Sequence, residues 1–127
     1  MTNPRHYKSG HKFPSEYFVQ VSIEKHFSDL GFMLDTSTHV DLLCSHPSTD
    51  EKWHIEAKGL TSQPGLDFRT CLGQLLQRMK DKKTSYGIAV PKLPKYINQI
   101  GLIAPWVVNQ MGLSWLLVEA NGSVTTV

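Results

Sequence analysis

Two short runs of residues joined by a polar turn constrain the fold of this chain more than any other feature. The first run, residues 40–44, is apolar except for Asp41, and the second, residues 52–59, has apolar residues at alternate positions. Between them, residues 46–51 are mainly Pro, Ser, Thr and acidic residues, which favour a turn over regular structure. The pattern predicts a two-stranded β-hairpin.

The second strand of this hairpin should have one apolar and one charged face. Because side chains alternate along a strand, Trp53, Ile55 and Ala57 should point into a core. The opposite face would carry Lys52, His54, Glu56 and Lys58. Asp41 interrupts the apolar first strand, where an unpaired carboxylate would cost several kcal/mol. A divalent metal ion shared by Asp41 and Glu56 would compensate for that charge.

These residue types fit the chemistry of phosphodiester hydrolysis. Mg²⁺ takes oxygen ligands and keeps several waters, so the carboxylates of Asp41 and Glu56 with the carbonyl of Ala57 would suffice to hold it. Lys58 would lie beside the metal, where an ammonium group can orient the attacking water and offset charge that develops on a phosphate. The hairpin therefore predicts a hydrolytic site.

Asp41 followed by the tripeptide Glu56-Ala57-Lys58 resembles the Asp…(Asp/Glu)-x-Lys signature of the PD-(D/E)XK nuclease superfamily. Other acidic-x-Lys triplets occur at residues 50–52 and 81–83, but only the one at Glu56 ends an apolar strand. The Pro that usually precedes the first Asp of the signature is absent, because Val40 stands there.

The resemblance implies an α/β, restriction-endonuclease-like fold, in which helices flank a mixed β-sheet. Its core order αβββαβ can be traced from about Pro14 to Val90. Beyond it we expect a C-terminal helix, kinked or divided by Gly101 and Pro105, and a β-hairpin that turns at Asn121-Gly122.

The two core helices follow from local signals. Pro14 suits a first helical turn, and Gly31 suits the end of the helix. The first helix has a stripe of residues spaced by three or four: Glu16, Gln20, Ile23, Phe27 and Leu30. Asp67 is the predicted N-cap of the second helix, whose predicted core stripe is Phe68, Leu72, Leu75, Leu76 and Met79. Gly73, inside that helix, predicts a close approach of the helix backbone to the hairpin.

The resemblance also implies two further site residues. In many nucleases of the superfamily the first helix contributes a Glu near the metal, and Glu16 matches that position; Glu24 is its competitor, and Glu16 also fits a plain helix-start acid. Several branches place a Gln in the second helix, facing the metal. Gln74 matches that position, with an ordinary surface or packing glutamine as the alternative.

Two functions are consistent with these residues. The first is a Mg²⁺-dependent deoxyribonuclease, an endonuclease that hydrolyses DNA phosphodiester bonds and in which Mn²⁺ could replace Mg²⁺. The second is a non-catalytic nucleic-acid-binding or assembly module that keeps the fold, with the acids in salt bridges to Lys52 and Lys58. A domain this small would need two sites to cut both strands of DNA, so a homodimer is expected. Trp106 and Trp115 are candidates for its interface, unless they belong to the core.

Composition limits the remaining possibilities. The 127 residues, 40% hydrophobic and 19% charged, predict one globular domain. Residues 1–12 form a basic arm that is either a loose terminus or a contact to phosphates or to a second subunit. No apolar run approaches the ~20 residues of a membrane span and no secretion signal is visible, so a cytoplasmic location is expected. The two cysteines, Cys44 and Cys71, are predicted to be core thiols.

Overall fold

The computed structural model describes residues 11–35 and 40–127, and within them it contains four helices and six strands. The elements are, in chain order, α1 (Glu16–Asp29), β1 (Met33–Asp35), β2 (Leu42–Ser45), β3 (Lys52–Ala57), α2 (Pro64–Arg78), β4 (Thr84–Pro91), α3 (Pro94–Gly101), α4 (Pro105–Met111), β5 (Leu113–Val118) and β6 (Val124–Thr126). Most of the predicted basic arm lies outside the described residues, and His11 and Lys12, which are described, are exposed.

The six strands form one mixed sheet in the order β1-β2-β3-β4-β5-β6. The outer pairs β1–β2, β2–β3 and β5–β6 are antiparallel, whereas β3, β4 and β5 run parallel. Helix α2 connects β3 to β4, as a parallel crossover requires. This architecture confirms the predicted fold class, including the core order αβββαβ and the C-terminal hairpin; the helical segment between them is divided into α3 and α4.

Helices cover both faces of the sheet, and each face has its own core. On the α1 face, the core comprises Val19, Ile23, Phe27, Phe32, Leu34, Leu42, Cys44, Ile55, Ala57, Ala89, Leu116 and Val118. On the α2 face, it comprises Phe68, Cys71, Leu75, Tyr86, Ile88, Val90, Tyr96, Leu113 and Trp115. Trp115 is therefore core and excluded from any interface, whereas Trp106 is 70% exposed.

The predicted alternation along β3 is confirmed, but its second face is not solvent-exposed. Ile55 and Ala57 pack in the core on the α1 face. His54 and Glu56 lie on the α2 face, since they pair with Tyr86 and Ile88 of β4, and both are buried. His54 and Glu56 therefore form a buried polar pair on the face of the sheet that α2 covers.

Local signals set the ends of α1 close to the prediction, although Pro14 precedes the helix and does not stand in its first turn. Ser15 is its N-cap, and the Ser15 hydroxyl accepts a hydrogen bond of 3.1 Å from the Phe18 N–H. Gly31, directly after the C-cap, has a φ of 92°, which favours glycine. The predicted stripe holds in the middle of the helix, but Leu30 is 55% exposed because it lies in the final turn.

Three expectations for α2 are wrong. Leu76 was predicted in the core stripe but is 40% exposed, because it lies one position after the buried Leu75 and so on another side of the helix. The helix begins at Pro64, before the predicted cap, and Asp67 lies in its first turn, where it accepts a hydrogen bond from the Thr61 hydroxyl. Gly73 makes no close approach, because an added Cβ would meet nothing within 4 Å. Glycine is needed instead at Gly59, where an added Cβ would lie 2.1 Å from the Glu16 nitrogen.

In the part of the chain that the structure describes, no helix has the length and apolar character to cross a membrane.

Candidate active site

The hairpin brings Asp41 and Glu56 to the same edge of the sheet. Leu42 pairs with Ile55 across the β2–β3 ladder, so the two acids are the next residues on adjacent segments. Oδ2 of Asp41 accepts a hydrogen bond of 2.8 Å from the Ala57 N–H. The backbone N–H of Asp41 in turn stabilises the Glu56 carboxylate by hydrogen bonding and lowers its pKa. The backbone of the hairpin therefore fixes both carboxyl groups.

Helix α2 closes over these acids and forms a cleft of about 200 Å³. We name it the acidic cleft; it is lined by Asp41, Glu56, Lys58, Cys71, Gln74 and Arg78. The three residues from α2 are spaced by three and four positions, so they occupy one stripe of the helix. The structure thus brings four of the five predicted catalytic residues, all except Glu16, into one cleft.

Glu56 is the more strongly compensated of the two acids. Its side chain is only 7% exposed, and its Oε1 atom forms an ion pair with Nη1 of Arg78. The Nε2 atom of His54 lies 3.6 Å from the same oxygen. Burial of the carboxyl group favours a higher pKa, but His54 and Arg78 outweigh it and hold the pKa of Glu56 below its ordinary value. Glu56 is therefore ionised at neutral pH.

His54 is an unusual neighbour for that carboxylate. Its ring packs against Tyr86 with the ring centroids 5.5 Å apart. At 3.6 Å from Glu56, its Nε2 atom is too far for a good hydrogen bond, and no described residue satisfies this buried atom. The Nε2 atom of His54 is thus within ion-pair distance of Glu56 but has no hydrogen-bond partner among the described residues.

Asp41 has the opposite electrostatic situation. Desolvation of its carboxyl group, together with the negative charges of Glu56 and Glu16, raises the pKa of Asp41 above its ordinary value, although the Ala57 N–H opposes the shift. Because neighbouring acids are among the causes, a cation placed between Asp41 and Glu56 would relieve the repulsion. Asp41 is exposed as a residue, so a cation could reach its carboxylate from solvent.

The remaining predicted site residues surround this pair. Lys58 is half-buried and Gln74 is exposed, and both line the acidic cleft. Glu16 is exposed at the first position of α1 and does not line the cleft, but its charge reaches Asp41. Their catalytic roles stay predictions.

Glu24, the competitor of Glu16, is connected to the site through Gln20. Both side chains are buried, and Nε2 of Gln20 donates to Oε2 of Glu24 at 2.8 Å. The same nitrogen donates to the backbone carbonyl of Asp41. Gln20, a member of the predicted stripe of α1, therefore holds the backbone just before β2 against α1.

The donor set of the acidic cleft fits a hard cation that keeps most of its waters. The carboxylates of Asp41 and Glu56 line the cleft and are oxygen donors of the kind that Mg²⁺ prefers, while the backbone carbonyl of Ala57 stays a predicted third ligand. Within residues 11–35 and 40–127, no three His, Cys, Asp or Glu side chains are grouped to hold a metal ion, so an all-side-chain site of the zinc type is not formed. Cys71 is a poor ligand, because burial raises the pKa of its thiol to about 12.

Arg78 lines the acidic cleft but was not predicted as a site residue from the sequence. Its position four residues after Gln74 was the available signal, since residues at that spacing share one side of a helix. The partner could not be foreseen, because Glu56 is 22 positions away in the sequence.

Comparison with solved structures supports the fold. The chain is similar to an XisH family protein from Nostoc punctiforme PCC 73102, known from a crystal structure at 1.60 Å resolution, with a TM-score of 0.61 and 16% identity over 85% of this chain and 96% of that chain. No protein-family model and no curated protein matches the sequence. At this identity the similarity shows that the two chains share a fold over the matched region.

Proposed function

We propose that this chain is a metal-dependent endonuclease of the PD-(D/E)XK superfamily that hydrolyses DNA phosphodiester bonds. The observation that carries the proposal is the convergence of Asp41, Glu56 and Lys58 in one cleft, in a fold whose core elements follow the order αβββαβ along the chain. A surface triplet of the same composition would not have an acid from the adjacent strand beside it. The opposite pKa shifts of the two acids add support, because paired carboxyl groups with perturbed pKa values are typical of functional sites.

Asp41, Glu56 and the Ala57 carbonyl are the proposed ligands of Mg²⁺, and Mn²⁺ would fit the same oxygen donors. When bound, the ion would supply Lewis-acid polarisation of the phosphate and a lower pKa for a coordinated water. The chain positions the ligands through its own hydrogen bonds: the Ala57 N–H holds the Asp41 carboxylate, and Gln20 holds the Asp41 carbonyl.

Lys58 and Gln74 are proposed to act on the water and the phosphate. Lys58 lines the acidic cleft, where its ammonium group would orient the attacking water and offset the negative charge that develops on the phosphate oxygens. The amide of Gln74 can donate to the phosphate or accept from the water. Glu16 would contribute through an intervening water, because it stands outside the cleft lining.

The direct test is cleavage of DNA by the purified protein in Mg²⁺ and in Mn²⁺. We expect Asp41→Ala and Lys58→Ala to abolish cutting of plasmid or branched DNA while circular dichroism shows the fold unchanged. Lys25 and Asp29 form an exposed ion pair of 2.8 Å in the last turns of α1, so Lys25→Ala and Asp29→Ala are matched controls that should cut normally. Equal activity of the Lys58→Ala variant and the wild type would refute the assigned role.

A second candidate, a nucleic-acid-binding or assembly module without catalysis, is favoured by one observation. Glu56 already has a counter-charge in Arg78, in place of the expected Lys52 or Lys58, so a metal ion is not required to neutralise it. If the protein binds DNA but cuts no linear, branched or single-stranded substrate in either metal, this candidate replaces the first.

Homodimer formation is part of the proposal, because cutting both strands of a duplex requires two sites. Trp106, exposed on α4, is the tryptophan available for an interface once Trp115 is assigned to the core. A sedimentation measurement on the wild type and on Trp106→Ala would test this. A cytoplasmic location would suit an enzyme that acts on DNA.

A further inference from the structure

Arg78 forms the contact that distinguishes the acidic cleft from a simple pair of acids. It is the last residue of α2, and its Nη1 atom pairs with Oε1 of Glu56 in β3. The Arg78 side chain is 48% exposed, whereas the Glu56 side chain is 7% exposed. One partner is therefore fixed in the protein, and the other is a long side chain at the mouth of the cleft.

A buried carboxylate needs a counter-charge. Arg78 now compensates the negative charge of Glu56, and a divalent ion bound to Glu56 would do so instead. The two cations would repel each other and compete for one oxygen. We propose that Arg78 is the counter-ion of Glu56 in the metal-free protein, and that cation binding displaces it toward a phosphate of the substrate. This inference rests on the proposed function and assigns Arg78 a role at the same site.

The position of Arg78 permits such an exchange. Because the side chain begins at the C-terminal residue of α2 and is half in solvent, it can leave Glu56 without unpacking a core. A guanidinium group binds phosphate through two parallel hydrogen bonds, which makes arginine well suited to a phosphodiester. Displaced from Glu56, Arg78 would stand on the rim of the cleft that Lys58 also lines, and the two cations would contact the substrate backbone together.

The first experiment measures metal affinity without DNA. Mg²⁺ and Mn²⁺ are titrated calorimetrically into the wild type, Arg78→Gln and Arg78→Lys. Removing the competitor should make Arg78→Gln bind the ion about tenfold more tightly, with Arg78→Lys between the two. Arg69→Gln is the matched control, because Arg69 lies on the same helix and donates to Gln99 of α3 at 3.3 Å, so its metal affinity should equal that of the wild type.

The second experiment measures the phosphate contact. DNA binding is followed against salt concentration, in Ca²⁺ as a cation that occupies oxygen sites and in EDTA. One phosphate contact contributes about 0.9 to the slope of log K against log salt. With Ca²⁺, Arg78→Gln should lower the slope by about that amount, whereas in EDTA, where Arg78 is held by Glu56, the slope should not change.

The outcomes separate this inference from the proposed function. Tighter metal binding by Arg78→Gln with a metal-dependent loss of salt slope supports the exchange. Equal or weaker metal binding by Arg78→Gln overturns it and leaves the metal site intact. If neither the wild type nor any Arg78 variant binds Mg²⁺ or Mn²⁺, the metal-dependent nuclease itself is overturned. Should Arg78→Gln not fold, Arg78→Lys alone decides the result in the same direction.

Discussion

Replacing Gly59 with alanine should destabilise the protein, whereas the same replacement at Gly73 should stabilise it. Both glycines lie within about fifteen residues of Lys58, and the chemical change is identical. At Gly59 the added Cβ would lie 2.1 Å from the nitrogen of Glu16 and 2.6 Å from the carbonyl carbon of Ser15. At Gly73 it would meet nothing within 4 Å.

The expected magnitude follows from these contacts. Ordinary Cβ contacts begin at 3.4 Å, so the backbone at the start of α1 would have to retreat by about 1.3 Å. It cannot retreat freely, because Leu60 N–H donates to the Pro14 carbonyl at 2.9 Å and the Tyr96 hydroxyl donates to the Gly59 carbonyl at 2.6 Å. Overpacking of this kind costs about 1–3 kcal/mol, and the upper end is expected here. Gly73→Ala should gain about 0.5–1 kcal/mol, because alanine favours the helix.

Urea unfolding at equilibrium measures both effects. The two variants should differ by about 3.5–4 kcal/mol in free energy of unfolding, with unchanged m-values, or by about 15 °C in thermal midpoint. If Gly59→Ala lies within about 0.5 kcal/mol of the wild type, or if both variants shift in the same direction, the close contact between α1 and the end of β3 is refuted. Loss of DNA cutting by Gly59→Ala alone would further indicate that this contact positions Lys58.

Three other predictions follow from the described contacts. Without divalent ions, Glu56→Gln should be less stable than the wild type at pH 7 and should approach its stability as the pH falls below 4.5, because the pKa of Glu56 is lowered in the folded protein and its contribution is lost on protonation. Asp41→Asn removes a carboxyl group of raised pKa, so it should be more stable than the wild type at pH 7 but not below pH 3.8. Urea unfolding of both variants as a function of pH measures these effects, and stability changes of the same sign at pH 7 would contradict the assignment. Tyr96→Phe should lose about 1–3 kcal/mol, since it leaves the buried Gly59 carbonyl without its hydroxyl partner, and an unchanged unfolding midpoint would contradict that hydrogen bond. Cys44 and Cys71 should not react with a thiol reagent at pH 8 in the folded protein, because burial raises the pKa of each thiol to about 12; rapid labelling of either one under native conditions would show that the core opens.

Local patterns in the sequence were sufficient to predict most of the architecture. Strands lie where local patterns predicted them, at the alternation in residues 52–57 and at the apolar run in residues 86–90. The Asn121-Gly122 turn likewise joins two paired strands, β5 and β6. These signals are reliable because period-two alternation and turn chemistry act between near neighbours. The start of α2 was predicted wrongly, because Asp67 was taken as the cap whereas Pro64 stands at the first helical position.

The signature residues Asp41, Glu56 and Lys58 could be chosen from the sequence because two adjacent strands bring them together through a short turn. The partner of Glu56 could not be chosen in this way. Arg78 reaches the site only because the crossover through α2 returns the chain over the same face of the sheet.

The sequence by itself therefore determined the strands, the helices and the identity of the acids, since these depend on periodicity and on a short loop. Only the tertiary structure decided the charge state and the surroundings of those acids. Burial beneath α2, the ion pair with Arg78 and the desolvation of Asp41 depend on contacts between segments distant in sequence, and no local pattern specifies which of several exposed cations will meet a buried carboxylate.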